Sequence, residues 1–76
     1  MKYCLKDKEI EDIGNRFTYH APKDDQASRY IEIRATAHAM ALGLCQNCPE
    51  SRERSLALTH LEEMVFWANA AIARHE

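Results

Sequence analysis

Two stretches of the chain carry apolar residues at alternating steps of three and four, which places their side chains on one face of an α-helix. The predicted apolar face of the first stretch, 26–46, comprises Tyr30, Ile33, Ala37, Met40 and Leu44. That of the second stretch, 51–74, comprises Leu58, Leu61, Val65, Ala68 and Ile72, and Ala57, Met64 and Ala71 widen it. Because the link between the stretches is short, we predict two long helices packed as an antiparallel hairpin.

The ends of these two helices carry residues that commonly begin or end helices. Ser51 predicts an N-cap for the second helix, because its hydroxyl can accept a hydrogen bond from a free amide of the first turn. Asp24 or Asp25 has the same predicted role for the first helix, and Asn47 is expected to end that helix.

A shorter pattern near the start of the chain predicts a helix over 7–13. We expect Asp7 to cap this helix and the pair Gly14-Asn15 to end it. A helix this short is not stable alone in water, so it must dock on the hairpin. The residues expected to face inward are Ile10 and Ile13.

The segment 14–25 has no helical pattern and is interpreted as an extended connector. Pro22 biases Ala21 towards an extended conformation, and the chain offers no second strand with which a strand here could pair. The predicted fold class is therefore all-α. It consists of one domain, 1–76, with a short N-terminal helix, the connector and the two-helix hairpin.

The length of the chain limits the core that it can build by itself. A chain of 76 residues buries only about 60% of its unfolded surface, so a single copy is marginally stable. Phe66 and Trp67 fall outside the apolar face of the last helix and need a second partner. Aromatic residues of this kind often anchor interfaces between subunits. We therefore expect a homo-oligomer.

Charge and hydropathy exclude several classes of partner. The formal net charge is −2, whereas proteins that coat DNA or RNA are usually basic. The charge leaves room for a small anionic ligand held by a few arginines.

No apolar run is long enough for a membrane span and no signal peptide is recognisable, so we expect a cytoplasmic protein. The odd count of 3 cysteines fits a reducing compartment.

The cysteines include one CxxC motif, Cys45 to Cys48. A structural zinc site needs four ligands, and here Cys4, His38 and His60 would have to complete the set. Because no second cysteine pair exists, we predict reduced thiols and no metal site.

Catalytic signals are absent from the sequence. Glu62 and Glu63 are adjacent, so on a helix they point about 100° apart and cannot share a proton as a carboxylate pair. Neither a nucleophile elbow, nor a zinc-hydrolase motif, nor a phosphate-binding glycine loop occurs. We predict a binding protein that is not an enzyme and uses no cofactor.

The connector carries residues suited to a nucleotide. Arg16 and Lys23 can bind phosphate oxygens, and Tyr19 offers a plane on which a base can stack, beside the titratable ring of His20. In the alternative interpretation, Tyr19 packs on a helix and the charged side chains are only solvated. Further cations follow on the two long helices: Arg29, Arg34, Arg52 and Arg54.

These residues stand in an ordered series of short blocks. The main ones are Arg16-Phe-Thr-Tyr-His-Ala-Pro-Lys23, Cys48-Pro-Glu-Ser-Arg-Glu53 and Trp67-Ala-Asn-Ala-Ala-Ile-Ala-Arg74. The series resembles the phage anti-CBASS cyclic-oligonucleotide sponges, from about Ile10 to Arg74. The resemblance implies a hexamer built as a trimer of dimers, with pockets for cyclic dinucleotides between protomers. In some members cyclic trinucleotides bind where three protomers meet. The family captures these messengers without cleaving them.

The resemblance also implies roles for individual residues. Tyr19 corresponds to the stacking aromatic of the dinucleotide pocket, with His20 beside it. Arg34 stands where the family has a cation that contacts phosphate, and Thr36 would line the same pocket. The full set of predicted ligand-binding residues is Arg16, Tyr19, His20, Lys23, Arg34, Thr36, His38 and Arg74. Among these, Arg16 or His38 would face a threefold pocket, and Arg74 would either clamp a phosphate from a neighbouring subunit or cap its helix.

Three other functions stay open at the level of sequence. The main alternative is a helical oligomer with a protein-interaction or regulatory role and no nucleotide ligand. A DNA-binding helix-turn-helix is disfavoured by the acidic balance and the antiparallel hairpin. A nuclease or phosphodiesterase acting on the same ligand would need a catalytic set that the sequence lacks.

Overall fold

The structure is a computed structural model that describes residues 3–76. Within that range the chain forms three helices: α1 (Asp7–Arg16), α2 (Gln26–Asn47) and α3 (Arg52–His75). Helices α2 and α3 pack against each other along the hairpin. The predicted all-α class and the two-helix hairpin are confirmed.

The chain is a single layer of helices. Its Cα atoms span 50 × 37 × 13 Å, and the shortest dimension is close to the diameter of one helix with its side chains, about 10–12 Å. A single layer can bury only the seam between its helices. Accordingly Ala37, 7% exposed, is the one buried hydrophobic residue among residues 3–76, and it lies at that seam.

The structure corrects part of the predicted apolar faces. On α2, Met40 is 56% exposed, and Ala41, four residues after Ala37, is half-buried in its place. On α3, Met64 is 46% exposed and Ala71 is also exposed, so neither widens the seam. The predicted main stripe of α3 is half-buried at every position: Leu58, Leu61, Val65, Ala68 and Ile72.

Helix α1 is longer than the expected 7–13. Gly14 continues the helix with a negative φ, and the helix ends at Arg16, which pairs with Asp12 at 3.0 Å. Asn15 does not end the helix either, and its side chain donates to the backbone oxygen of Arg74 in α3 at 3.2 Å. Lys6, not Asp7, is the N-cap residue, and it makes no capping bond through its side chain.

The inward orientation predicted for the two isoleucines of α1 is wrong for the single chain. Ile10 is 53% exposed and Ile13 is 45% exposed, and α1 buries no residue. The reason is geometric, since the hairpin is one layer thick and α1 does not lie over it. The apolar side of α1 is therefore uncovered in one copy.

The caps of the long helices follow local chemistry. Ser51 caps α3 as predicted, and its Oγ accepts from the backbone N–H of Arg54 at 3.1 Å. Asp25 precedes α2 but makes no side-chain capping bond. Its carboxylate instead pairs with Arg29 at 3.1 Å, while Asp24 adopts the left-handed region with φ of 52°.

Candidate ligand-binding site

An open concavity of about 450 Å³ lies where the connector crosses the first half of α2 and the last turns of α3. Helices α2 and α3 each contribute one aromatic ring and one arginine to its wall. Among the residues predicted from sequence, it brings together Arg16, Tyr19, His20, Arg34 and Arg74.

Three predicted residues lie elsewhere. Lys23 directs its Nζ to the backbone oxygen of Glu76 at 3.1 Å and does not line the concavity. His38 lies in a neighbouring groove of about 480 Å³ between α2 and α3, which it shares with Arg34. Thr36 is exposed on α2 and lines neither surface. The binding roles of all eight residues remain predictions.

The ring of Tyr19 is free in the single chain. Its side chain is 83% exposed, so the alternative in which Tyr19 packs on a helix does not describe this structure. Phe66, from α3, lines the same concavity and is 61% exposed. Exposed aromatic faces of this kind are suited to stacking against a planar ligand.

His20 is held by the end of α1. The Nε2 atom of His20 lies 2.9 Å from the backbone oxygen of Asn15, which fixes that nitrogen as the donor of the pair. The side chain of Asn15 donates in turn to the backbone oxygen of Arg74 at 3.2 Å. A chain of contacts therefore joins α1, the connector and the end of α3.

The cations of the concavity are available to an anion. Within the described residues Arg16 forms an ion pair with Asp12 alone, and both side chains are more than half exposed. Such surface pairs contribute little free energy and exchange easily with another anion. Within residues 3–76, Arg34 and Arg74 form no ion pair with an acidic side chain. Three guanidinium groups can therefore reach a phosphate.

The structure adds Asn69 to the site, which the sequence reasoning missed. Asn69 lines the concavity, and its Oδ1 is buried without a hydrogen-bond donor in the described part of the chain. Its position between Ala68 and Ala70 was the available signal, because an amide in an alanine-rich packed helix needs a partner. Tyr30 also lines this surface.

A second polar cluster, the Glu76 clasp, lies beside the concavity and consists of Lys23, Gln26, Arg29 and Glu76. Arg29 binds both carboxylate oxygens of Glu76, with Nη1 donating to Oε2 at 2.7 Å. Gln26, only 3% exposed, accepts from the backbone N–H of Lys23 at 3.1 Å and donates to Glu76 Oε1 at 3.2 Å. The hydrogen bonds from Arg29 and Gln26 lower the pKa of Glu76 to about 2.

The cysteines, the possible metal ligands and the hydropathy of the helices over residues 3–76 bear on the other kinds of site considered from sequence. Cys45 is exposed and Cys48 is half-buried, and both are free thiols. Over residues 3–76, no three His, Cys, Asp or Glu side chains are grouped closely enough to hold a metal ion. In the same range no helix is both long and apolar enough to cross a membrane.

The fold and this surface define a class of protein: a small helical hairpin with an open, cationic and aromatic concavity. Residues 9–73 match the family model of the Acb2/Tad1 hairpin domain. The chain therefore belongs to this family of phage cyclic-nucleotide sponges, which act against CBASS and Thoeris signalling and are generally non-catalytic binders. The family predicted from the sequence blocks is confirmed. No curated protein and no solved structure matches the chain.

Proposed function

We propose that the protein binds and sequesters cyclic oligonucleotide second messengers without cleaving them, and so blocks CBASS antiphage signalling in the cytoplasm of the host. The ligands proposed are cyclic dinucleotides, with cyclic trinucleotides as a second class. The observation that carries the proposal is the concavity that joins an exposed Tyr19 to Arg34 and Arg74 in a chain of this family.

The chemistry of this surface suits a cyclic dinucleotide. Such a ring carries two phosphates and two bases, so it needs cations and flat apolar faces within one ligand length. Tyr19 supplies a face on which a base can stack, and the guanidinium groups of Arg34 and Arg74 supply bidentate donors for phosphate. His20 lies beside Tyr19 and is oriented by Asn15.

The thin shape and the exposed apolar surface of the chain support an assembly of several copies. The chain is one helix thick, and Trp67 is 66% exposed, so one copy leaves apolar surface that a second copy would cover. We propose a homohexamer. A twofold interface would present each contact of the ligand twice, which suits a ring with two phosphates. Arg16 or His38 is the proposed contact of a trinucleotide pocket. Thr36 and Lys23 are proposed to border the dinucleotide pocket.

We propose capture without cleavage because members of this family are generally non-catalytic binders. Hydrolysis of a phosphodiester requires a base placed beside the attacking group, or a metal ion. The Nε2 atom of His20 donates to a backbone oxygen, and three arginines line the same concavity: Arg16, Arg34 and Arg74. These cations are suited to binding a charged ring.

The proposal is tested with a panel of cyclic dinucleotides and trinucleotides in titration calorimetry. The complex is then heat-denatured and the released ligand is chromatographed. Submicromolar binding with return of intact ligand is the expected result, and linear dinucleotides of the same base composition serve as controls. Recovery of linear products would replace capture by cleavage. Absence of binding to every cyclic member would reject the proposed function.

The exposed Phe66 and Trp67 favour one other candidate, a helical protein-interaction or regulatory module without a nucleotide ligand. That function predicts no response to any cyclic nucleotide, and loss of partner binding when Trp67 is replaced. The same titration therefore separates the two functions.

A further inference from the structure

The connector that carries Tyr19 and His20 has little regular structure of its own. Between the end of α1 and the start of α2 no strand or complete helix forms, so side-chain contacts at its two ends set its path. At its first end, His20 and Asn15 connect it to the backbone oxygen of Arg74. At its second end, the backbone N–H of Lys23 is held by Gln26.

Both sets of contacts join the connector to residues at the C-terminal end of α3. The side chain of Gln26 donates a hydrogen bond to the Glu76 carboxylate, and Arg29 donates to the same carboxylate through two nitrogens. We propose that Glu76 is a positioning residue of the ligand site: through the Glu76 clasp it sets the path of the connector, and hence the placement of Tyr19 and His20 over the concavity. This inference rests on the proposed function.

The burial of Gln26 makes the clasp sensitive to Glu76. The amide of Gln26 is 3% exposed, and each of its two polar atoms has one partner, Lys23 N–H for Oε1 and Glu76 for Nε2. A buried donor without an acceptor is unfavourable. Loss of the Glu76 carboxylate would therefore reorient the amide and free the backbone N–H of Lys23, while the hydrogen bond from the Gln26 backbone N–H to the Lys23 oxygen at 3.0 Å would stay.

Direct contact with the ligand does not account for these residues. Gln26, Arg29 and Glu76 are absent from the wall of the concavity, and the negative charge of Glu76 would repel a phosphate. Arg29 is already paired with Glu76 and Asp25. Glu76 is ionised at neutral pH with or without these contacts, which lower its pKa further, so its carboxylate can accept from Arg29 and Gln26 under the conditions of ligand capture.

The test compares Glu76→Ala, Glu76→Asp and the control Glu32→Ala, a glutamate on α2 that is exposed and lies outside the concavity. Affinity is measured by calorimetry for the cyclic nucleotide that the parent binds most tightly. We expect Glu76→Ala to weaken binding about tenfold, as for other couplings between linked sites. Glu76→Asp keeps the carboxylate and restores most of the affinity, and Glu32→Ala leaves it unchanged.

A second readout separates positioning from general stability. The side-chain nitrogen signals of His20 are recorded by NMR in the ligand-free variants, together with the far-ultraviolet circular dichroism. We expect Glu76→Ala to shift the His20 signals while the helix content is unchanged, and Glu76→Asp to return them towards the parent positions. If Glu76→Ala does not fold, the isosteric Glu76→Gln takes its place, and we expect a shift of the same direction.

Failure of this inference differs from failure of the proposed function. If the parent binds a cyclic nucleotide while Glu76→Ala binds equally well with unchanged His20 signals, the positioning role is wrong and sequestration stands. If the parent binds no cyclic nucleotide, the proposed function is wrong and no role in a ligand site remains for Glu76.

Discussion

The two ends of the α2–α3 hairpin are held together by different kinds of contact. At the closed tip, Ser51 caps α3, Asn47 bonds back to Gly43 at 2.7 Å, and Arg54 reaches the backbone oxygen of Cys48 at 3.3 Å. These partners are at most six residues apart. At the open end, Gln26 and Arg29 join Glu76 across 50 and 47 residues. Local chemistry therefore shapes the tip, and tertiary contacts shape the end that carries the candidate site.

The difference between the contacts at the two ends indicates which part of this small chain can carry a ligand site. The tip and the seam form a scaffold that depends on apolar packing and helix caps. The open end adds an irregular connector whose position depends on polar contacts. Ligand sites are often built this way, with functional side chains on a loop that a rigid scaffold positions. Variants at the tip and the seam should accordingly affect mainly stability, and variants at the open end should affect mainly binding.

The largest expected effect comes from a charge in the seam. Ala37 is 7% exposed between α2 and α3, so Ala37→Glu buries a carboxylate without a partner, a change that costs about 3 kcal/mol or more. We expect loss of cooperative unfolding, or a large fall in the midpoint of urea denaturation. Ala39→Glu, at an exposed position of the same helix, is the control and should fold. Equal midpoints for the two variants would contradict the assigned seam.

The next effect lies at the open end and changes binding alone. Tyr19→Ala removes a ring that is 83% exposed, and we expect it to lose about 1–3 kcal/mol of binding free energy per stacked base. The melting temperature should stay within error of the parent, because the ring packs on nothing in the single chain. Tyr3→Ala is the matched control, with a ring 86% exposed outside the concavity. Calorimetry that gave Tyr19→Ala the affinity of the parent would remove Tyr19 from the site.

The same comparison shows what the sequence could and could not predict. Helix periodicity predicted the hairpin, and the hydroxyl of Ser51 predicted its cap, because both depend on neighbours within a few residues. Periodicity could not choose between Met40 and Ala41, since the crossing of two helices decides which of them faces the partner. Gly14 was expected to end α1, but the bond from Asn15 to the backbone of α3 accompanies a longer helix.

The candidate site was predictable only in part for the same physical reason. Tyr19, His20 and Arg16 could be predicted as a group because they are close in sequence and chemically distinctive, and the concavity brings them together. Asn69 and the Glu76 clasp were missed, because their partners are set by the meeting of chain segments about 50 residues apart. The periodicity of apolar residues carries no information about contacts between segments so far apart in the sequence.

A smaller effect on stability is expected at the closed tip. Ser51→Ala removes the acceptor for the backbone N–H of Arg54, and loss of an N-cap costs about 1 kcal/mol. Denaturant unfolding should show this decrease, while calorimetry should show parental affinity for the ligand. Ser55→Ala, exposed and inside α3, is the control without a cap to lose. A weakened ligand affinity in Ser51→Ala would mean that the two ends are coupled.

The smallest expected effect is a dependence of stability on pH at the open end. The pKa of Glu76 is lowered from its ordinary value of 4.5 to about 2 by hydrogen bonds from Arg29 and Gln26. A group whose pKa is lower in the folded state stabilises the fold above its unfolded value, and that contribution is lost as pH falls through the folded value. The parent should therefore be more stable than Glu76→Gln above about pH 4.5, and the difference should shrink towards pH 2. Thermal melts of both proteins across this range measure the difference, which should be small because the carboxylate is partly exposed. A gap between parent and variant that widened on acidification would contradict the ion pair between Glu76 and Arg29.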